Sequence, residues 1–185
     1  MMQAKSSWSA AAVASAVLLV NSTPAFASTQ GSLGSTSTGS IGIQVSVPSR
    51  VRISGLTDVS FLNADPTVTA SSAQNVCVWS NTSTRGYNIT ALGSGTGNAF
   101  TLGGTGLSAV PYHVAWSSSS GQSSGNALTA GTAATGLISA ASSQNCGSGA
   151  TSSASLVVSI SSATLQTMSA NANYTGTLTL VVAPE

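Results

Sequence analysis

Hydrolytic chemistry needs a nucleophile, a base and an orienting acid within reach of one another. The chain offers few groups for those roles. His113 is the only histidine, and it sits between Tyr112 and Val114 in an alternating stretch, the setting of a satisfied strand histidine. Asp58 and Asp65 could pair for acid–base work. However, Asp65 precedes Pro66 in a turn, where its carboxylate is expected to cap the backbone. None of the many serines has the context of a nucleophile elbow. Cys77 and Cys146 are the only cysteines. They form no Cys-x-x-Cys pair and are far from His113 in sequence, which argues against a metal or redox site. The expectation is a protein with no catalytic residue, no metal site and no cofactor, and so not an enzyme.

Binding chemistry is also restricted. Charged residues make up 4% of the chain, against a norm of about 25%. Beyond Lys5, the charges are Arg50, Arg52, Arg85, Asp58, Asp65 and Glu185, which cancel. No basic face exists to neutralise phosphates, which excludes nucleic acid as a partner. At 42% hydrophobic the chain is too apolar for disorder. A near-neutral Ser/Thr/Gly/Asn surface has little charge repulsion to keep copies apart. Trp79, Tyr112, Trp116 and Tyr174 could form a sugar platform, but their alternation with polar neighbours favours a core role. Asn-x-Ser/Thr triplets such as Asn88-Ile89-Thr90 arise by chance in so Ser/Thr-rich a chain.

The N-terminus reads as an export signal. Lys5 supplies the positive region, and Ala10 to Val20 is apolar but too short to span a bilayer. Ala25-Phe26-Ala27 is an A-x-A pattern, so cleavage is expected after Ala27 and residues 1–27 form the signal peptide. In an exported chain, two cysteines default to a disulfide. A Cys77–Cys146 bridge closes a loop of about 70 residues and contributes on the order of 4 kcal/mol in the chain-entropy model.

The elements that organise the rest are strands. Ile41-Gly42-Ile43-Gln44-Val45-Ser46-Val47 alternates with period two, which places Ile41, Ile43, Val45 and Val47 on one face. Pro48 cannot donate to a ladder and ends the run. This strand follows a Gly/Ser/Thr leader, Ser28 to Ser40, that has almost nothing to bury. Residues 28–48 are therefore a flexible leader with one apolar strand, and residues 49–185 are the body.

Within the body, Val51, Ile53 and Leu56 resume the alternation, and Val59 with Phe61 forms a short strand before the turn Asn63-Ala64-Asp65-Pro66. Val76 to Trp79 and Tyr87 to Ala91 read as a hairpin across Asn81 to Gly86. Ala99 to Leu102, Tyr112 to Trp116 and Leu156 to Ile160 add strands, and Leu128 to Ile138 is weakly patterned. Tyr174, Gly176, Leu178, Leu180 and Val182 share one face of the closing strand. No helical period appears beyond the signal peptide. Short strands cut by Gly/Ser/Asn turns indicate an all-β sandwich, and no fixed repeat supports a solenoid.

These parts together resemble the chaperone–usher pilins of Gram-negative bacteria. The shared features are an A-x-A signal, a leader, an alternating strand ending in Pro48, a single disulfide and a closing Tyr174-Thr175-Gly176-Thr177-Leu178-Thr179-Leu180-Val181-Val182. The passage through Pro48 into Val51 and Ile53 is similar to the α-fimbrial colonisation-factor pilins, which generally lack cysteine. The archaic spore coat U-like pilins usually place a cysteine near the first strand, and here the first is Cys77, so the branch stays open.

The resemblance implies an incomplete immunoglobulin-like sandwich, completed by a donor strand from a neighbouring subunit. Ile41, Gly42, Ile43, Val45 and Val47 would be the donor strand, with Gly42 giving close backbone approach. Leu178, Leu180 and Val182 would line the acceptor groove, since no strand follows Val182 to fill it. The implied partners are other copies or sibling pilins head-to-tail, with a periplasmic chaperone and an outer-membrane usher during assembly. The implied location is the cell surface, reached through the periplasm, in a fimbria supporting adhesion or biofilm formation. The competing expectation is a self-contained secreted β-sandwich binding a glycan or surface ligand, with Ile41 to Val47 paired within its own sheet.

Overall fold

The computed structural model describes residues 27–147 and 152–185. The expected signal peptide, apart from Ala27, lies outside the described residues. The chain divides into two units, Met1–Ser46 and Val47–Glu185.

In the first unit, Thr29 and Ser40 form an antiparallel bridge, with Thr29 N donating to Ser40 O at 2.9 Å and Ser40 N to Thr29 O at 3.0 Å. Every described residue of this unit is exposed.

The second unit is all-β apart from two single turns of helix. Its strands are β1 (Val51–Ser54), β2 (Ala70–Ser80), β3 (Gly86–Gly93), β4 (Thr101–Leu102), β5 (Val110–Pro111), β6 (His113–Ser117), β7 (Asn126–Ala127), β8 (Ala133–Ile138), β9 (Ala154–Ile160) and β10 (Leu178–Pro184). The larger sheet runs β1-β2-β9-β6-β7 and the smaller β10-β3-β8, while β4 pairs with β5. All pairings are antiparallel.

The inward faces follow the period-two rule. Val76 and Val78 of β2, Val114 and Trp116 of β6, and Leu156, Val158 and Ile160 of β9 meet Tyr87, Ile89 and Ala91 of β3 in one buried cluster. Trp116 Nε1 donates to Tyr87 Oη at 3.0 Å, which ties the two sheets together through their core.

β2 changes partner along its length. Residues 70–76 pair with β9, whereas Cys77 to Ser80 pair with β1 on the opposite edge. Where the β9 ladder stops, buried serines replace it. Ser153 Oγ accepts from Val78 N at 2.9 Å and donates to Val78 O at 2.8 Å, and Ser139 Oγ also donates to Val78 O. These hydroxyls satisfy main-chain groups that would otherwise be costly to bury.

Three expectations are corrected here. β2 and β3 do not form a hairpin: they lie in different sheets. Arg85, at φ 56°, sits in the corner that hands the chain from one sheet to the other, where Ser80 Oγ donates to Gly86 O at 2.8 Å. Both strands alternate because both face the same core. Val59 and Phe61 are not in a strand. Gly55, at φ 82°, turns the chain out of β1, and Thr57 is then held by a side chain, with Thr57 N donating to Gln74 Oε1 at 2.8 Å and Gln74 Nε2 to Thr57 O at 3.0 Å. A short helix, α1 (Ser162–Leu165), follows β9, capped by Ser161 Oγ accepting from Thr164 N at 3.1 Å. Its one buried residue, Leu165, is too little to leave a helical period.

Cys77 and Cys146 are joined, with S–S 2.03 Å and a sequence separation of 69. They pack with Ala141 and the half-buried Trp79 in a second small cluster. The bridge ties β2 to the loop after β8.

Candidate apolar groove along the last strand

β10 pairs with β3 from Leu178↔Gly93 to Pro184↔Tyr87, and among the described residues no other strand pairs with it. Its alternation sends Leu178, Leu180 and Val182 toward the core and leaves Thr179 and Val181 exposed. The three inward residues are nonetheless only half-buried.

The space beside them is a cavity of about 390 Å³. Leu178 and Leu180 form one wall, Leu56 and Val59 contribute from the other side, and Leu156, Val158 and Ile160 of β9 also line it. A second cavity of about 750 Å³ shares Val59, Leu102, Ile160 and Gly176 with the first and runs on past Phe61, Leu165, Met168 and Tyr174. Together they make one trench, aliphatic beside Leu178 and Leu180 of β10 and as polar as apolar beyond Gly176, where Ser169, Asn171 and Asn173 line it. Gly176 lets its segment approach β4 closely, because a Cβ there would lie 3.0 Å from both Leu102 Cδ2 and Thr101 O.

Val182 lines neither cavity, although like Leu178 and Leu180 it packs against the core. β1 comes up against β10, and β1 is paired with the Cys77–Ser80 end of β2. That end adjoins Gly86, whose neighbour Tyr87 is the partner of Pro184. The sheets therefore close around Val182 and open toward Leu178.

Tyr112 also lines the first cavity. Its hydroxyl is the one buried side-chain polar atom among the described residues without a hydrogen-bond partner. Burial pushes its pKa above the usual phenol value. The sequence pointed to Leu178 and Leu180 but missed Tyr112, Leu102, the β9 residues and the 56–59 segment. The alternation of Leu156, Val158 and Ile160 signals an inward face, and the three are buried in the core while also lining the cavity.

The residues considered for chemistry are scattered. His113 is exposed on β6, opposite Ser159. Asp58 lies at the cavity rim. Asp65 accepts from Thr67 N at 2.8 Å and Thr67 Oγ1 at 2.7 Å, capping its turn as expected. Among the described residues no three His, Cys, Asp or Glu side chains cluster to hold a metal, and no helix is long and apolar enough to cross a membrane. Of the four aromatics, Tyr112 and Trp116 are buried, while Trp79 and Tyr174 are half-buried.

The expected donor residues have the opposite exposure to the trench. Ile41, Ile43, Val45 and Val47 are 76, 84, 87 and 75% exposed, and residues 41–47 belong to no strand. No family model matches the chain, and no curated protein matches it.

Proposed function

We propose that this chain is a structural subunit of a surface fibre, a pilin that polymerises by giving its Ile41–Val47 strand to the trench of the next copy. The observation that carries this reading is a mismatch within one chain. A trench with aliphatic walls opens beside Leu178 and Leu180, on a strand that pairs only with β3 among the described residues, and a segment with four exposed aliphatics at alternate positions lies in the same chain. Both are liabilities in isolation, and together they are a donor and an acceptor. A strand laid beside β10 would ladder with its free edge and turn its aliphatic face onto Leu156, Val158, Ile160, Leu178 and Leu180. Each aliphatic side chain buried is worth about 1.5–3 kcal/mol.

Giving the strand to a neighbouring copy makes a head-to-tail contact, which propagates into a fibre. The chaperone, the usher and the cell-surface location follow from the pilin resemblance, as does an incomplete immunoglobulin-like description of the sandwich.

The test uses the mature chain carrying Ile43→Arg and Val45→Arg, which cannot donate but keeps its trench. Adding a peptide spanning Gly39 to Pro48 should raise its Tm by tens of degrees. A cooperative melt that ignores the peptide would overturn strand donation and favour a self-contained binding module.

A further inference from the structure

Pro48 has no N–H to give a ladder, yet the chain around it is held as firmly as a strand. Asn81 Nδ2 donates to Pro48 O at 2.9 Å, and Asn81 Oδ1 accepts from Arg50 N at 2.6 Å. Asn81 N donates to Arg50 O at 3.1 Å, which continues the β1–β2 ladder by one step. One side-chain amide thus takes both main-chain groups flanking Ser49 and carries the pairing to the proline. The division between the two units falls at Ser46/Val47, immediately before this clamp.

Resting on the strand-donation reading, we propose that Asn81 is a positioning residue that fixes the direction in which the donor strand leaves the body, and so sets the angle between successive subunits. The amide suits this role because it offers a donor and an acceptor side by side. Among the described residues no other side chain bonds the main chain of Pro48 or Arg50. Asn81 does not line the trench, so the donor's affinity for its groove is independent of it. In a head-to-tail polymer the same joint recurs at every subunit, and slack in one joint becomes bending of the whole fibre.

The test compares the full mature chain, as wild type, Asn81→Ala and Asn81→Asp, by amide exchange, by peptide-induced Tm shift in the donor-blocked background, and by fibre curvature in electron micrographs. Asn81→Ala should exchange the Arg50 amide roughly tenfold faster, keep the peptide shift and form fibres that bend severalfold more. Asn81→Asp, which keeps the acceptor for Arg50 N but loses the donor to Pro48 O, should fall between. Fibres of either variant as stiff as wild type overturn the inference. Loss of the peptide shift in both variants also overturns it, because Asn81 would then hold the body together and not aim the strand. Failure of the unmutated trench to take the peptide removes strand donation and this inference together. A normal peptide shift with unchanged stiffness removes this inference alone.

Discussion

Trp116 and Tyr87 meet in the centre of the core, one from each sheet, with the indole N–H donating to the phenol oxygen at 3.0 Å. Tyr112, also buried, has no partner for its hydroxyl. The two tyrosines therefore predict opposite responses to the same substitution. Tyr87→Phe strands a buried indole N–H and should cost about 1–3 kcal/mol. Tyr112→Phe removes a group that was already unsatisfied and should be neutral or mildly stabilising. Urea unfolding of the two variants checks this, and equal losses would contradict it.

The disulfide gives the second prediction. Closing 69 residues of sequence limits the unfolded chain, and the chain-entropy model assigns such a loop about 4 kcal/mol. A Cys77→Ala/Cys146→Ala double variant should lose stability on that scale. Unfolding curves measured with and without reductant provide a check, because only the unmutated protein should respond to the reductant.

The dependence on pH should be flat through neutrality and fall on the alkaline side. Burial raises the pKa of Tyr87 and Tyr112 above 10.0, with the Trp116 bond opposing part of the rise at Tyr87. Their neutral forms are favoured by folding, so the stability is present below pH 10 and lost as pH climbs through the folded values. Asp65 works the other way. The bonds from Thr67, main chain first, hold it below 3.8, so its contribution is present above that value and lost as pH falls through the lowered one. Asp65 is fully exposed, and the acid limb should be the shallower of the two. Thermal melts between pH 3 and 11 would show it, and a steep acid limb would count against this assignment.

Particular residues show what the sequence could convey. Leu178 and Leu180 turn to the inward face of β10 as their alternation indicated, and the expected disulfide between the two cysteines is present as Cys77–Cys146. Alternation reports which face is apolar but not which sheet a strand joins. For that reason Val76 to Trp79 and Tyr87 to Ala91 passed for a hairpin, although they approach one core from opposite sides. Val182 alternates like its neighbours, yet β1 closes over that end of the sandwich. Leu156, Val158 and Ile160 are buried and also border the cavity, and no pattern within β9 encodes which residues complete that face.

The trench makes its own prediction through the two faces of β10. Leu180 lines the cavity, and Val181, one position on, is 48% exposed on the other face. Leu180→Arg places a charge where an inserted strand must bury aliphatic side chains, and an unpaired buried charge is strongly unfavourable. In the donor-blocked chain this change should abolish the peptide-induced Tm shift. Val181→Arg adds the same charge to solvent and should leave the shift intact. Both variants present the same main-chain edge of β10, so the comparison separates the trench from the edge. If both keep the shift, the peptide binds elsewhere. If both lose it, the ladder along β10 matters more than the aliphatic contacts beneath it.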